Sequence, residues 1–135
     1  MAHISTMEKL GLPAPDFSLQ NLNAGINEKT VSLETFEEYS ALLVAFICNH
    51  CPYVVHIRDS FVSFVSEYHE KALGVVAISA NDVDSYPDDS PEQMTEDAVK
   101  YSYPFPYLFD ESQEIAKRIG QLAPQIFSYT IENAL

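Results

Sequence analysis

The only two cysteines of the chain, Cys48 and Cys51, lie three positions apart in the run Phe-Ile-Cys-Asn-His-Cys-Pro over residues 46–52. Residues 41–47 are apolar and predict a strand that exposes Cys48 at its end, and residues 52–69 predict a helix. At this junction the free N–H groups and the positive end of the helix dipole point at the first sulfur. They favour the thiolate, which is the form that attacks disulfides. The pair therefore predicts thiol–disulfide exchange.

His50 lies between the two sulfurs in the sequence. As a cation or N–H donor it would stabilise the Cys48 thiolate and make a disulfide of the pair more oxidising. The other interpretation is a polar residue in an exposed loop. Both interpretations stay open from the sequence.

A metal is the alternative use of the same two sulfurs. A zinc site normally takes four ligands, and the other candidate ligands are the four histidines, His3, His50, His56 and His69. His56 lies one helical turn past Cys51 and could join the sulfurs, but no fourth ligand is evident. We therefore predict no metal at the site, and keep a metal-binding or metal-delivery module as the alternative function.

Composition narrows the class of protein. The chain has 135 residues, which fits one domain, and 20 acids against 7 bases give a formal net charge of −13. Nucleic acid is disfavoured as a partner because phosphate binding relies on clustered Lys and Arg. No apolar run approaches the ~20 residues of a membrane span, and the N-terminus lacks a signal-peptide pattern, so we expect a cytoplasmic protein. The acids between residues 82 and 97 predict either a solvated surface or a charge filter that favours basic partners.

The hydrophobic pattern predicts strands that alternate with helices. The strands are expected at residues 16–19, 30–33, 41–47, 74–79, 105–109 and 125–131, and the helices at 34–39, 52–69, 91–103 and 115–119. This order is typical of an α/β fold with a mixed, mostly parallel sheet that is covered by helices on both faces. We expect a single domain over residues 1–135, with an N-terminal extension at 11–40 and a redox core at 41–131. The aromatic residues assigned to its core are Phe61, Phe64, Tyr68, Tyr101, Phe105, Tyr107 and Phe109.

Four segments carry a resemblance to a known family. They are Ala-Pro-Asp-Phe-Ser-Leu at 14–19, Cys-Asn-His-Cys-Pro at 48–52, the loop Asn-Asp-Val-Asp-Ser-Tyr-Pro-Asp-Asp-Ser-Pro-Glu at 81–92, and Ala-Pro at 123–124. With these segments, the chain resembles the thioredoxin-like branch of the alkyl hydroperoxide reductase/thiol-specific antioxidant superfamily over about residues 11–130.

The resemblance implies a role for each matching residue. Cys48 is implied as the nucleophile and Cys51 as the cysteine that resolves the mixed disulfide. Pro124 is implied as a cis-proline facing the motif, with Ala123 before it presenting its backbone to the substrate chain. Asn49 and Pro52, within and after the motif, are the further candidate substrate contacts. No bound cofactor is implied, because the dithiol itself carries the electrons.

The chain also departs from the family pattern. Leu42 stands where thioredoxins often bury an acid, and Ala45 stands where a peroxidase needs Thr or Ser, so peroxidase activity is not expected. We expect the strand at 125–131 to be without the partner strand and final helix that usually follow it in the family. Such an apolar edge predicts a homodimer through residues 125–135. A shortened paralogue with little activity is a further alternative.

Overall fold

The computed structural model describes residues 14–68, 72–119 and 125–130, the last of these by its backbone alone. Six strands form one sheet in the order β2-β1-β5-β4-β3-β6. They are β1 Ser18–Asn21, β2 Thr30–Ser32, β3 Ala41–Phe46, β4 Leu73–Ser79, β5 Tyr107–Phe109 and β6 Gln125–Thr130. Every strand lies within about two residues of its predicted position.

The sheet is mixed, as predicted, with its parallel part at the centre. β4 pairs in parallel with both β3 and β5, whereas β1 pairs antiparallel with β2 and β5. β6 runs antiparallel to β3, with Thr130 opposite Ala41 and Gln125 opposite Phe46. The expectation of a mostly parallel sheet was too strong, because two of the five pairings are parallel. The short connection from β1 to β2 reverses the chain, and a parallel pair would need a long crossover.

Three α-helices follow the predicted order: α1 Pro52–Tyr68, α2 Pro91–Lys100 and α3 Glu114–Ile119. Short 3₁₀ turns span Leu33–Phe36 and Pro87–Asp89. α2 starts where the sequence indicates. The Ser90 hydroxyl accepts the Gln93 N–H at 3.3 Å, and Pro91 lies at the first helical position, where the N–H that proline lacks would have no helical partner. It ends at Lys100, before the predicted end at residue 103. None of the helices in the described ranges is long and apolar enough to cross a membrane.

Each face of the sheet has its own core, so helices cover both faces as predicted. The apolar core of the α3 face includes Phe36, Leu42, Val76, Leu108 and Ile115. The α1 face, under α1 and α2, holds Val65, Val75, Ala77, Met94, Ala98, Tyr103, Phe105 and Tyr107.

Two aromatic residues assigned to the core lie at the surface instead. Phe64 is 41% exposed and Tyr68 is 38% exposed, and their rings contact each other at 4.8 Å between centroids. The buried stripe of α1 runs through Val54, Arg58 and Val65. Phe64 and Tyr68 share one helical turn at the flank of that stripe, so they face outward.

β6 lies at an edge of the sheet. Among the described residues, no strand pairs with its outer side. Residues 131–135 lie outside the described residues, and the homodimer through 125–135 stays a prediction.

Candidate active site

The two cysteines lie in the loop that joins β3 to α1. The Ile47 N–H donates to the Ile78 carbonyl at 3.0 Å, which extends the β3–β4 ladder up to Cys48. Both cysteines are free thiols, and Cys51 donates its backbone N–H toward the Cys48 sulfur. The loop lies at the carboxyl ends of parallel strands, where open α/β sheets place their sites. The predicted pair is therefore assembled at the predicted edge.

The environment of Cys48 is the opposite of the one predicted. Its side chain is buried, with 4% exposed, and burial is the main cause that raises its pKa to about 12. The negative charge of Asp89 and the neighbouring Cys51 thiol raise the pKa further, while the Cys51 N–H lowers it. The helix start thus acts in the expected direction, but desolvation outweighs it. At rest, Cys48 is a buried thiol, not an exposed thiolate.

Asp89, from the loop after β4, accepts hydrogen bonds from the backbone of the cysteine loop. It is fully buried and follows β4 in the loop before α2. Its Oδ1 accepts the backbone N–H of Asn49 at 2.7 Å and that of His50 at 3.3 Å. Its Oδ2 accepts the Asn81 amide at 2.8 Å and lies 2.6 Å from Nδ1 of His50. Three N–H groups thus donate to the carboxylate, and Nδ1 of His50 is a fourth nitrogen in contact with it.

His50 is fixed on two sides. Its ring stacks on Tyr86 with 4.7 Å between centroids and 10° between planes, and its side chain is 31% exposed. The approach of Nδ1 to Asp89 is short but off the ideal N–H direction, since Nδ1 has no well-aligned hydrogen-bond partner. The ring of His50 is therefore held between Tyr86 and Asp89, and its role toward Cys48 stays a prediction.

Asn49 is a structural residue of the loop. It is 9% exposed; its Oδ1 accepts the Tyr107 hydroxyl at 2.8 Å, and its Nδ2 donates to the Asp88 carbonyl at 2.8 Å. Both ends of the side-chain amide are used inside the protein, and the substrate contact at Asn49 stays a prediction. Pro52, the other candidate contact within the described residues, is exposed at the start of α1.

A buried arginine, Arg58, also contacts the cysteine loop, and the sequence pattern did not indicate it. Arg58 is 7% exposed and donates to the Asn49 carbonyl at 3.3 Å and to the Tyr103 hydroxyl at 3.1 Å. Its guanidinium lies 3.9 Å from the centre of the Tyr101 ring and 3.7 Å from an oxygen of Asp97. Aromatic and carboxylate partners of this kind are how a buried cation is tolerated.

Comparison with known proteins shows which family the chain belongs to. The model of the AhpC/TSA family matches residues 10–132. The chain belongs to the AhpC/TSA family. No match was found among curated proteins.

Solved structures resemble this AhpC/TSA chain closely. It is similar to a conserved protein from Geobacillus kaustophilus, at 40% identity and a TM-score of 0.86, over 93% of this chain and 66% of that one. It is similar to a protein from Sinorhizobium meliloti, at 40% identity and a TM-score of 0.87, over 95% of this chain and 68% of that one. The chain thus spans about two thirds of the length of these two proteins.

The thioredoxin-like fold is shared with more distant structures. A thiol:disulfide interchange protein of the thioredoxin family from Chlorobium tepidum matches at 15% identity and a TM-score of 0.68. The match covers 95% of this chain and 83% of that one. The AhpC/TSA chain therefore has the thioredoxin-like fold that its sequence resemblance implied.

A metal fits this AhpC/TSA site poorly. Cys48, His50 and Asp89 each bring one donor atom within 4.8 Å of the others, which is close enough to surround an ion. The carboxylate of Asp89 is already occupied by four nitrogen atoms, so an ion would have to displace the contacts that hold the loop. His56 is exposed on α1 and does not belong to this group.

The remaining site residues of the sequence analysis are Ala123 and Pro124. Both lie outside the described residues, and so do His3 and His69. Their roles stay as the resemblance implied them.

Proposed function

We propose that this AhpC/TSA-family chain is a thiol–disulfide oxidoreductase that reduces disulfides of proteins or small molecules. The observation that carries the proposal is the contact between two free thiols, Cys48 and Cys51, at the carboxyl end of β3. The name of the Chlorobium tepidum structure, a thiol:disulfide interchange protein, supports the same chemistry by its shared fold.

The proposed reaction uses both sulfurs in turn. Cys48 attacks one sulfur of the substrate disulfide, which forms a mixed disulfide and releases the first substrate thiol. Cys51 then attacks the Cys48 sulfur, which releases the second substrate thiol and leaves a Cys48–Cys51 disulfide. Two electrons and two protons pass from the cysteines to the substrate. The dithiol is the electron carrier, so the reaction needs no bound cofactor.

Reduction is the direction that the Cys48 environment favours. A strongly oxidising pair gains its potential from a stabilised thiolate in the reduced state. Burial and the Asp89 charge raise the Cys48 pKa instead, so this source of oxidising power is absent. We expect a potential closer to about −270 mV, as in thioredoxin, than to about −120 mV. Equilibration with glutathione buffers measures it, and a value near the second figure would reverse the direction. We propose the reducing cytoplasm as its compartment.

Insulin reduction by dithiothreitol tests the function. We expect the chain to accelerate it, Cys48→Ser to abolish the acceleration, and Cys51→Ser to accumulate a mixed disulfide with substrate. Ser60→Ala, at an exposed position on α1, is the matched control and should keep full activity. Full activity of Cys48→Ser would refute the assignment of the nucleophile.

Two other activities are separated by simple measurements. Ala45, in the place where a peroxidase would need Thr or Ser, is fully buried, and we expect no consumption of hydrogen peroxide. The metal-binding alternative requires near-stoichiometric zinc or copper in protein purified under reducing conditions. We expect two titratable thiols and no metal, and a loaded site would overturn the redox function.

A further inference from the structure

The loop between β4 and α2 brings one exposed aromatic ring to the cysteine site. Tyr86 is 49% exposed, and its ring lies on the imidazole of His50 with 4.7 Å between centroids and 10° between planes. One ring nitrogen of His50 lies within 4.8 Å of the Cys48 sulfur. The other large apolar side chains that are exposed in the described ranges belong to α1 and α2, so Tyr86 is the one that a loop contributes.

The backbone holds Tyr86 in place on both sides. The Tyr86 N–H donates to the Asp82 carbonyl at 2.8 Å, and the Tyr86 carbonyl accepts the Asp89 N–H at 2.9 Å. Pro87 follows directly, and its own ring fixes φ at that position. With one ring face against His50, Tyr86 is ordered before any partner arrives. A ligand that binds this ring therefore loses little affinity to the ordering of the protein.

The ring lies in an acidic part of the surface. Asp84 and Asp88 stand two positions before and two positions after Tyr86, and both are exposed. Residues 72–99 contain no basic residue. In the part of the chain that the structure describes, neither carboxylate belongs to an ion pair. The electron-rich ring face and the two carboxylates attract the same chemical group, which is a cation.

We propose that Tyr86 determines substrate specificity by binding an arginine that flanks the disulfide cysteine of a polypeptide substrate. The inference rests on the proposed thiol–disulfide exchange, and it names the class of substrate for the same site. Arginine fits because its planar guanidinium stacks on an aromatic ring and pairs with carboxylates. The lysine ammonium is a compact and strongly hydrated charge, so it fits a ring face less well.

The position of the ring suits a residue close to the substrate cysteine. One imidazole separates the Tyr86 ring from the Cys48 sulfur. An extended chain advances ~3.3 Å per residue, so about two to three residues span this gap. Among the described residues, the cations Arg58 and Lys100 both lie over the Tyr101 ring and not over Tyr86. The Tyr86 ring is thus left for an arginine of the substrate.

Single-turnover reduction of two matched peptides tests the inference. Each peptide has one cysteine in a disulfide with mercaptoethanol. Two residues to each side of that cysteine it has either arginine or citrulline, the neutral isostere of arginine. We expect the reduced wild-type protein to reduce the arginine peptide faster. Tyr86→Leu should lower the ratio of the two rates about two- to fivefold, the range of an exposed cation–π contact. This substitution keeps the charge of the protein, so the long-range attraction of the acids stays the same.

Two control variants and a small substrate separate arginine recognition from support of the cysteine loop. Tyr86→Phe keeps the ring and should keep the wild-type ratio. Tyr68→Leu makes the same change at the far end of α1, about 24 Å along the helix from its start, and should also keep the ratio. Bis(2-hydroxyethyl) disulfide has no peptide chain. Wild type and Tyr86→Leu should therefore reduce it equally fast.

Three results would overturn the inference. The first is equal rates for the two peptides with wild type, and the second is an unchanged ratio in Tyr86→Leu. The third is a similar loss of rate for all three substrates in Tyr86→Leu, which would mean that the ring only supports His50.

A direct measurement of binding distinguishes failure of the inference from failure of the proposed function. If wild type reduces none of the three disulfides, the proposed function fails. NMR titration of the protein with Cys48→Ser and Cys51→Ser, which needs no redox chemistry, should still show tighter binding of the arginine peptide than of the citrulline peptide. Adding Tyr86→Leu should remove that difference. Equal affinities for the two peptides would overturn the role of Tyr86.

Discussion

A buried aspartate lies beside each face of the sheet, and the two aspartates differ in their hydrogen-bond partners. Asp110, 1% exposed at the start of α3, accepts the Ala116 N–H at 2.9 Å, but its Oδ1 has no partner in the described residues. Burial raises its pKa. Asp89, beside the α1 face, has four nitrogen partners. Asp110 thus keeps one carboxylate oxygen without a hydrogen bond, whereas both carboxylate oxygens of Asp89 accept hydrogen bonds.

The cores behind these aspartates differ in the same way. The buried core of the α3 face consists of apolar side chains, which stabilise the fold by their burial. The α1 face contains Tyr103 and Tyr107, whose hydroxyls connect with Arg58 and Asn49. Packing on that face therefore also fixes the position of the cysteine loop. Substitutions on the two faces should separate stability from reactivity.

The largest effect is expected on the α3 face. Leu108 is fully buried there, and Leu108→Ala should lower the free energy of unfolding by about 2–5 kcal/mol through lost burial and a cavity. The rate of insulin reduction by the folded protein should not change. Urea unfolding measures the loss, and Val99→Ala, at a 61% exposed position, should stay within about 0.5 kcal/mol of the wild type. Slower insulin reduction by the folded variant would show that the α3 face also controls the site.

Removing one hydroxyl from the α1 face should affect both properties. Tyr107→Phe keeps the ring but leaves Oδ1 of Asn49 without its donor, which should cost about 1–3 kcal/mol. The loosened loop should also slow insulin reduction and speed hydrogen exchange of the Asn49 amide. Tyr53→Phe, at a 72% exposed position, is the control for stability. Equal exchange rates of the Asn49 amide in Tyr107→Phe and wild type would show that packing on the α1 face does not fix the cysteine loop.

The surface on the α1 side predicts a preference among substrates. Asp82, Asp84 and Asp88 are exposed in the loop that contacts Asn49 through the Asp88 carbonyl. Basic disulfide peptides should be reduced faster than acidic ones at low salt, by about tenfold or less. The rates should converge near 1 M salt, where the Debye length is ~3 Å. Equal reduction rates of basic and acidic peptides at low salt would show that these acids are only a solvated surface and do not select substrates.

The smallest effect concerns Asp110 and follows from the sign of its pKa shift. Because the folded state raises this pKa, the folded state binds more protons than the unfolded state above the usual value of 3.8. The free energy of unfolding should therefore fall as pH rises from 3.8 to the raised value. Asp110→Asn should flatten this slope in urea titrations at several pH values. Parallel slopes for the two proteins would contradict the assignment.

The sequence predicted those features that a local pattern determines. Alternating apolar runs located the strands and helices, and the spacing of Cys48 and Cys51 located the site. Asp89 could not be found, because residue type does not distinguish it from the exposed Asp88 beside it. Only the pairing of β3 with β4 brings its loop to the cysteines. The burial of Cys48 was missed for a related reason, since desolvation depends on tertiary packing and reverses the effect of the helix start.

The order of strands has a consequence for how the chain is made. β3, which leads to Cys48, pairs on one side with β6, the last described strand. Roughly 80 residues follow β3 before β6 begins. At a synthesis rate of about 5–20 residues per second, the edge of β3 that pairs with β6 therefore stays unpaired for about 4–16 s. An unpaired strand edge beside a thiol is open to wrong pairing on the ribosome. We therefore expect nascent chains stalled before residue 125 to need chaperone protection, and their thiols to react faster than those of the released protein.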